Sequence, residues 1–149
     1  MVKNPRYGIT KDEPHSLPVP CGKCPECLKR RSSQWAFRLM EHDKVCRSSY
    51  FLTLTYDTSS VPITDGLYMT LCKRDTQLFW KRLRKKLHSY GCDQKISYYL
   101  VGEYGTKSER PHYHAIVFDL PDLYNLAQII REEWQNGQVD LGTVTGPVS

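Results

Sequence analysis

The spacing of hydrophobic and polar residues predicts four β-strands in this chain. Residues 50–56 alternate along their length, so one face receives Tyr50, Leu52, Leu54 and Tyr56. The opposite face then receives Phe51, Thr53 and Thr55. The runs 96–103 and 110–118 are rich in β-branched and aromatic residues and flank a segment of turn composition at 105–109, which predicts a hairpin. Residues 138–144 form a last short β-type run.

Three other segments have the periodicity of amphipathic helices. They begin at 25 or 26, at 71 or 75, and at 121, and they end near 47, 89 and 137. We expect the first helix to pack on a sheet, and Asp75 or Thr76 to cap the second, with Gly91 after its end. The order of helices and strands predicts an α+β fold, in which helices flank an antiparallel sheet with the hairpin at its centre.

Length and composition indicate one folded domain. The chain has 149 residues, of which 40% are hydrophobic, and this is enough for a modest core. Residues 1–19 have little periodicity and are interpreted as an irregular arm, so the domain is expected to span 20–149. No apolar stretch is long enough to cross a bilayer, and the N-terminus lacks the apolar core of a signal peptide. We therefore expect no membrane partner and a cytoplasmic location.

Positive charge is concentrated in one part of the chain. The net charge is +5, whereas residues 73–88 alone carry seven Lys or Arg against Asp75. Residues 109–149 carry two basic residues against six acidic ones. A local cationic helix favours contact with nucleic-acid phosphates, and a solvated helix face is the alternative. The candidate DNA-binding residues are Lys81, Arg82, Arg84, Lys85 and Lys86.

The predicted hairpin brings together side chains that can bind a metal. Because alternate residues of a strand share a face, His112 and His114 point the same way. A turn centred on residues 107 and 108 places Glu103 opposite His112 and Val101 opposite His114. One carboxylate and two imidazoles would then lie together, a set that suits Mn²⁺, Co²⁺ or Zn²⁺. The alternative is a pair of surface histidines beside an unrelated Glu103.

A second candidate metal site is the run Cys21, Cys24 and Cys27. Three thiolates at this spacing could begin a zinc site, although a tetrahedral site needs a fourth ligand from elsewhere in the fold. A ferredoxin-type cluster would want a further cysteine at the position of Arg31. The alternative is a set of reduced thiols, some of them packed as small hydrophobic side chains.

The motifs taken together resemble a known family. Glu103, followed by the His-hydrophobic-His pattern on a strand, is similar to motif II of the HUH endonucleases. The segments PCGKCPEC at 20–27, FLTLTY at 51–56 and RPHYH at 110–114 resemble replication initiation proteins of the microviruses, particularly the gokushovirus branch. These are small phages with circular single-stranded DNA.

The resemblance implies an activity and its partners. It implies that Glu103, His112 and His114 hold Mg²⁺ or Mn²⁺, and that the substrate is single-stranded DNA at a replication origin. In that family a tyrosine attacks the scissile phosphate, keeps the 5′ end as a phosphotyrosine, and releases a 3′ hydroxyl that primes rolling-circle synthesis. Host replication machinery is a further candidate partner, and the host bacterial cytoplasm is the implied location.

The family's tyrosine has no clear counterpart here. It normally lies on a helix well past the second histidine, a position that falls near or beyond Ser149. Tyr124 alone follows His114, Tyr104 belongs to the predicted turn, and Tyr113 should point away from the histidines. We therefore expect an initiator domain that stops before its catalytic tyrosine helix. The alternative is a nucleic-acid-binding module without catalysis, such as a decayed prophage remnant.

Overall fold

The computed structural model describes residues 20–106 and 108–144. Two compact units divide the chain, Met1–Val45 and Cys46–Ser149, and each is treated by itself. The first contains helix α1, Pro25–Asp43, which ends earlier than the predicted 47. The packing of its apolar stripe on a sheet stays a prediction. The predicted arm at 1–19 lies outside the described residues.

The second unit contains the predicted sheet. Its elements are β1 (Ser49–Tyr56), α2 (Lys73–Ser89), β2 (Ser97–Tyr104), β3 (Pro111–Phe118), α3 (Leu126–Trp134) and β4 (Gly137–Thr143). The strand order is β2-β3-β1-β4, and each neighbouring pair is antiparallel. The predicted order of elements and the α+β class are confirmed. The β2–β3 hairpin contributes one edge strand and one central strand.

The predicted alternation of β1 decides which face of the sheet is buried. Leu52, Leu54 and Tyr56 are buried, as are Tyr113, Ala115 and Val117 of β3. These side chains form one cluster with the buried residues of α2 and α3, so both helices cover the same face. The Trp134 indole packs near Tyr56 and donates to the Thr55 carbonyl at 3.1 Å. Burying each large apolar side chain contributes about 1.5–3 kcal/mol, so this face supplies the core of the unit.

The predicted caps of α2 are wrong. The N-cap is Cys72, and no side chain makes a capping hydrogen bond there. Asp75 instead accepts a hydrogen bond from the Tyr56 hydroxyl at 2.8 Å, and Thr76 donates to the Lys73 carbonyl within the helix. The other end agrees with the prediction, because Gly91 follows the helix with φ of 75°.

Helix α3 begins later than the pattern suggested. Its first residue is Leu126 and not Pro121. The Leu126 N–H donates to the Leu123 carbonyl at 3.0 Å, so the residues before the helix form a separate turn. Hydrophobic spacing alone does not distinguish such a turn from a first helical turn.

Candidate metal centre

The β2–β3 hairpin has the predicted register. Glu103 pairs with His112 and Val101 pairs with His114. The turn is closed by the Gly105 N–H, which donates to the Arg110 carbonyl at 3.1 Å, and by the Glu109 N–H, which donates to the Gly105 carbonyl at 2.8 Å. A slip by one residue would move the histidines to the buried face, so this register decides whether the site exists.

The candidate ligands converge on the sheet face opposite the two helices. Each of Glu103, His112 and His114 offers one ligand atom, and these atoms lie within 4.8 Å of one another. Nε2 of His114 is 3.7 Å from a carboxylate oxygen of Glu103. The imidazoles are half-buried, whereas Glu103 is exposed, so the carboxylate faces solvent and a ligand can reach it.

Hydrogen bonds to Nδ1 orient both imidazoles. Nδ1 of His112 is 3.1 Å from the Arg110 carbonyl, and because a carbonyl only accepts, this nitrogen carries the proton. Nδ1 of His114 is 3.1 Å from the Thr53 hydroxyl, which can accept in the same way. In this tautomer the lone pair of each neutral ring is on Nε2, the nitrogen that faces Glu103 in His114. Metal-binding histidines are commonly held like this, so the residues present fit a divalent cation.

Strand β1 completes the surroundings of His114. Thr53 pairs with His114 across the sheet, and the Phe51 ring stacks on the imidazole with centroids 5.3 Å apart. Alternation along β1 placed Phe51 and Thr53 on one face, but their role next to His114 was missed. Finding it required the pairing of β1 with β3, which are distant in sequence.

The opposite face of β3 has a different chemistry. The Tyr113 hydroxyl donates to the Cys72 carbonyl at 3.0 Å and accepts from the Cys72 N–H at 2.7 Å. The Tyr56 hydroxyl lies 3.3 Å from it. Burial raises the pKa of Tyr113 and, more strongly, the pKa of Tyr56. As predicted, Tyr113 points away from the histidines, and its hydroxyl is committed to structure.

The basic residues of α2 differ in what they can contact. Lys81, Arg84 and Lys85 are exposed, whereas Lys86 is half-buried. The prediction for Arg82 needs correction, because its guanidinium is turned toward the end of α3. Its Nε and Nη2 donate to the Glu133 carbonyl at 3.0 and 2.7 Å. Since α2 covers the sheet face opposite the histidines, its cations and the candidate metal ligands belong to separate surfaces.

The three cysteines of the first unit also come together. The sulfurs of Cys21, Cys24 and Cys27 lie within 4.8 Å of one another, and none of the three forms a disulfide. Backbone N–H groups of Lys23 and Cys24 lower the pKa of Cys21 to about 7. The sequence therefore identified a real cluster of sulfur ligands.

Comparisons with known proteins agree on one family. The family model described as replication-associated protein ORF2/gene 2 protein matches residues 49–149. The chain is 31% identical over 146 residues to replication-associated protein VP4 of Bdellovibrio phage phiMH2K, covering 87% of the chain and 45% of that protein. It is 32% identical to replication-associated protein ORF4 of Chlamydia phage 1, covering 87% and 35%. It is 35% identical to replication-associated protein ORF2 of Spiroplasma virus 4, covering 78% and 36%.

The chain thus spans less than half the length of each of these relatives. A solved structure, hypothetical protein ORF119 from Sulfolobus islandicus rod-shaped virus 1, matches 76% of this chain and 81% of that chain. Its TM-score is 0.49 at 15% identity, which is too low to support a conclusion. Among the described residues, no helix has both the length and the apolar character needed to cross a membrane.

Proposed function

This chain belongs to the family of replication-associated protein ORF2/gene 2 protein, and from that premise we propose that it acts in rolling-circle replication by metal-dependent nicking of single-stranded DNA. The proposal assigns the metal to Glu103, His112 and His114. One observation carries it. Three ligand atoms from paired strands converge on a solvent-reached sheet face, with both imidazoles oriented through Nδ1.

The protein groups perform distinct tasks in this proposal. The Arg110 carbonyl and the Thr53 hydroxyl hold the two rings in the tautomer that presents Nε2. Glu103 supplies negative charge that balances a divalent cation. When bound, Mg²⁺ or Mn²⁺ would supply Lewis-acid stabilisation of charge on the scissile phosphate. The nucleophile is assigned to a tyrosine of the family pattern outside the described residues, since Tyr56 and Tyr113 are buried on the other face.

The separate cationic surface suggests how the DNA strand is held. Lys81, Arg84 and Lys85 lie on a helix that covers the face opposite the metal ligands, so we assign them to phosphates that flank the cut and not to the scissile phosphate itself. Such contacts add affinity without reading bases, and they weaken as salt increases. Host replication proteins remain proposed partners without an assigned surface.

A covalent-adduct assay tests the activity. The protein is incubated with single-stranded oligonucleotides tiling the candidate origin in Mn²⁺, and products are separated on a denaturing gel. The assay uses the 149-residue chain and the same chain extended by the codons after Ser149. An adduct that needs Mn²⁺ and disappears in the double variant His112→Ala, His114→Ala supports nicking. An adduct that persists in that variant would contradict the assigned ligands.

A non-catalytic nucleic-acid-binding module is the second candidate. The observation in its favour is the distance in the fold between the cationic helix and the histidines, because a basic surface can bind DNA without them. This candidate predicts salt-sensitive DNA binding that is equal with Mn²⁺ and with EDTA, and no adduct from either the 149-residue or the extended chain.

A further inference from the structure

We propose that Cys21, Cys24 and Cys27 form a second metal site, which binds a single Zn²⁺ ion and is independent of the nicking centre. The site lies wholly within the first unit, before and inside the first turn of α1. It shares no residue with the histidine site, so either can fail without the other.

The distances between sulfurs fit one tetrahedral ion. Zn–S bonds of about 2.3 Å in a tetrahedron place two sulfurs about 3.8 Å apart. The sulfurs of Cys21 and Cys27 are 3.9 Å apart, and all three lie within 4.8 Å of one another. An iron–sulfur cluster would separate them more, because each thiolate binds a different iron. One disulfide would leave the third thiol unused, and none is formed.

The backbone around the cysteines is shaped to bring the sulfurs together. Gly22 has φ of 73°, a conformation that side chains disfavour, and it turns the chain between Cys21 and Cys24. The Cys24 N–H donates to the Cys21 sulfur at 3.4 Å, a bond that would stabilise a metal-bound thiolate. Pro25 then begins α1, so Cys27 lies in its first turn. The three cysteines fill three positions of the tetrahedron and leave the fourth for another ligand.

A metal here would give α1 the support that its packing lacks. Helix α1 has 19 residues, none of them buried, and its N-cap makes no side-chain hydrogen bond. Helices without a buried face are marginal in water. A zinc ion joining the preceding turn to the first helical turn would fix the helix start. It would also hold exposed Lys23, Lys29 and Arg30 in a defined arrangement.

Cobalt substitution and metal analysis test the site in the full chain. Protein prepared under reducing conditions is expected to contain one equivalent of zinc that survives the change His112→Ala, His114→Ala. Added Co²⁺ should give a sulfur-to-cobalt charge-transfer band, which the histidine site cannot produce because it has no thiolate. Both signals should be lost when Cys21, Cys24 and Cys27 are all changed to serine, and kept in Cys92→Ser, a matched change elsewhere.

A second measurement avoids dependence on variants that fail to fold. Zinc should protect Cys21, Cys24 and Cys27 of the unmodified protein from alkylation, as read by peptide mass spectrometry, and EDTA should remove the protection. Cys92 should react equally in both conditions. Equal alkylation of the three cysteines with and without zinc, a charge-transfer band that survives the triple change, or bound iron with acid-labile sulfide would each overturn the proposal.

Discussion

The two faces of strand β3 show how one sequence serves structure and chemistry at alternate positions. Tyr113, Ala115 and Val117 point into the core, where α2 and α3 exclude water. His112 and His114 point the other way, toward Glu103 and solvent. Successive residues therefore differ in role because the strand period is two, and changes one residue apart should affect different measurements.

The largest expected effect belongs to the ligand face. Changing His112 and His114 together to alanine should abolish Mn²⁺ binding in calorimetric titration, because a single carboxylate cannot hold the ion. The free energy of unfolding should change by no more than about 0.5 kcal/mol, as for other substitutions away from the core. Tyr113→Phe is the matched control on the opposite face and should retain Mn²⁺ binding. Unchanged titration in the double histidine variant would refute the assignment.

The next effect belongs to the packed face. Trp134 is fully buried against Tyr56 and Phe79, so Trp134→Ala should cost about 3–5 kcal/mol in urea unfolding. Phe51→Ala removes a ring that is 41% exposed on the ligand face and should cost much less. Equal losses would mean that the ligand face is also buried, contrary to this structure.

The sequence predicted these two faces because their signals are local. Alternation within β1, and the short turn between β2 and β3, were enough to place Glu103 opposite His112. The contact of Thr53 with His114 depends on pairing between distant strands, which no local pattern encodes. Arg82 failed for a similar reason, because its partner at Glu133 lies on another helix. The caps of α2 were misassigned because Asp75 forms a tertiary hydrogen bond with Tyr56 instead.

Thr53 gives a smaller and more specific test. Thr53→Val removes the hydroxyl that orients His114, and such supporting contacts typically contribute about 10–100-fold in metal affinity. Thr53→Ser keeps the hydroxyl and should restore affinity. Thr55→Val, two positions along the same face, is the control. If valine at 53 binds Mn²⁺ as tightly as the parent protein, the hydrogen bond does not position the ring.

The buried tyrosines predict a loss of stability at alkaline pH. Tyr56 and Tyr113 have pKa values raised by burial, so they stay neutral in the folded protein above the ordinary value of about 10. Their contribution is fully present below that value and is lost as pH rises, by up to about 1.4 kcal/mol per pH unit for each tyrosine. Chemical unfolding across this range should show a weaker dependence in the Tyr56→Phe, Tyr113→Phe variant. An identical dependence would contradict the assigned cause.

The smallest effect concerns the cations of α2. Neutralising Lys81, Arg84 and Lys85 should lower the slope of log affinity against log salt by about 2, if each meets one phosphate of single-stranded DNA. Arg82→Ala should leave that slope unchanged and instead cost about 1–3 kcal/mol of stability, because it leaves the Glu133 carbonyl unpaired. The opposite pattern would mean that Arg82 faces DNA.

Pulsed electron paramagnetic resonance of bound Mn²⁺ tests the metal assignment most directly, because it detects the nitrogen atoms that coordinate the ion. The geometry predicts couplings from two imidazole nitrogens, one of which should be lost in His112→Ala and the other in His114→Ala. Glu103→Gln should weaken binding without changing the nitrogen couplings. Mn²⁺ that binds the parent protein with no nitrogen coupling, or with couplings unaffected by either histidine change, would contradict the proposed centre.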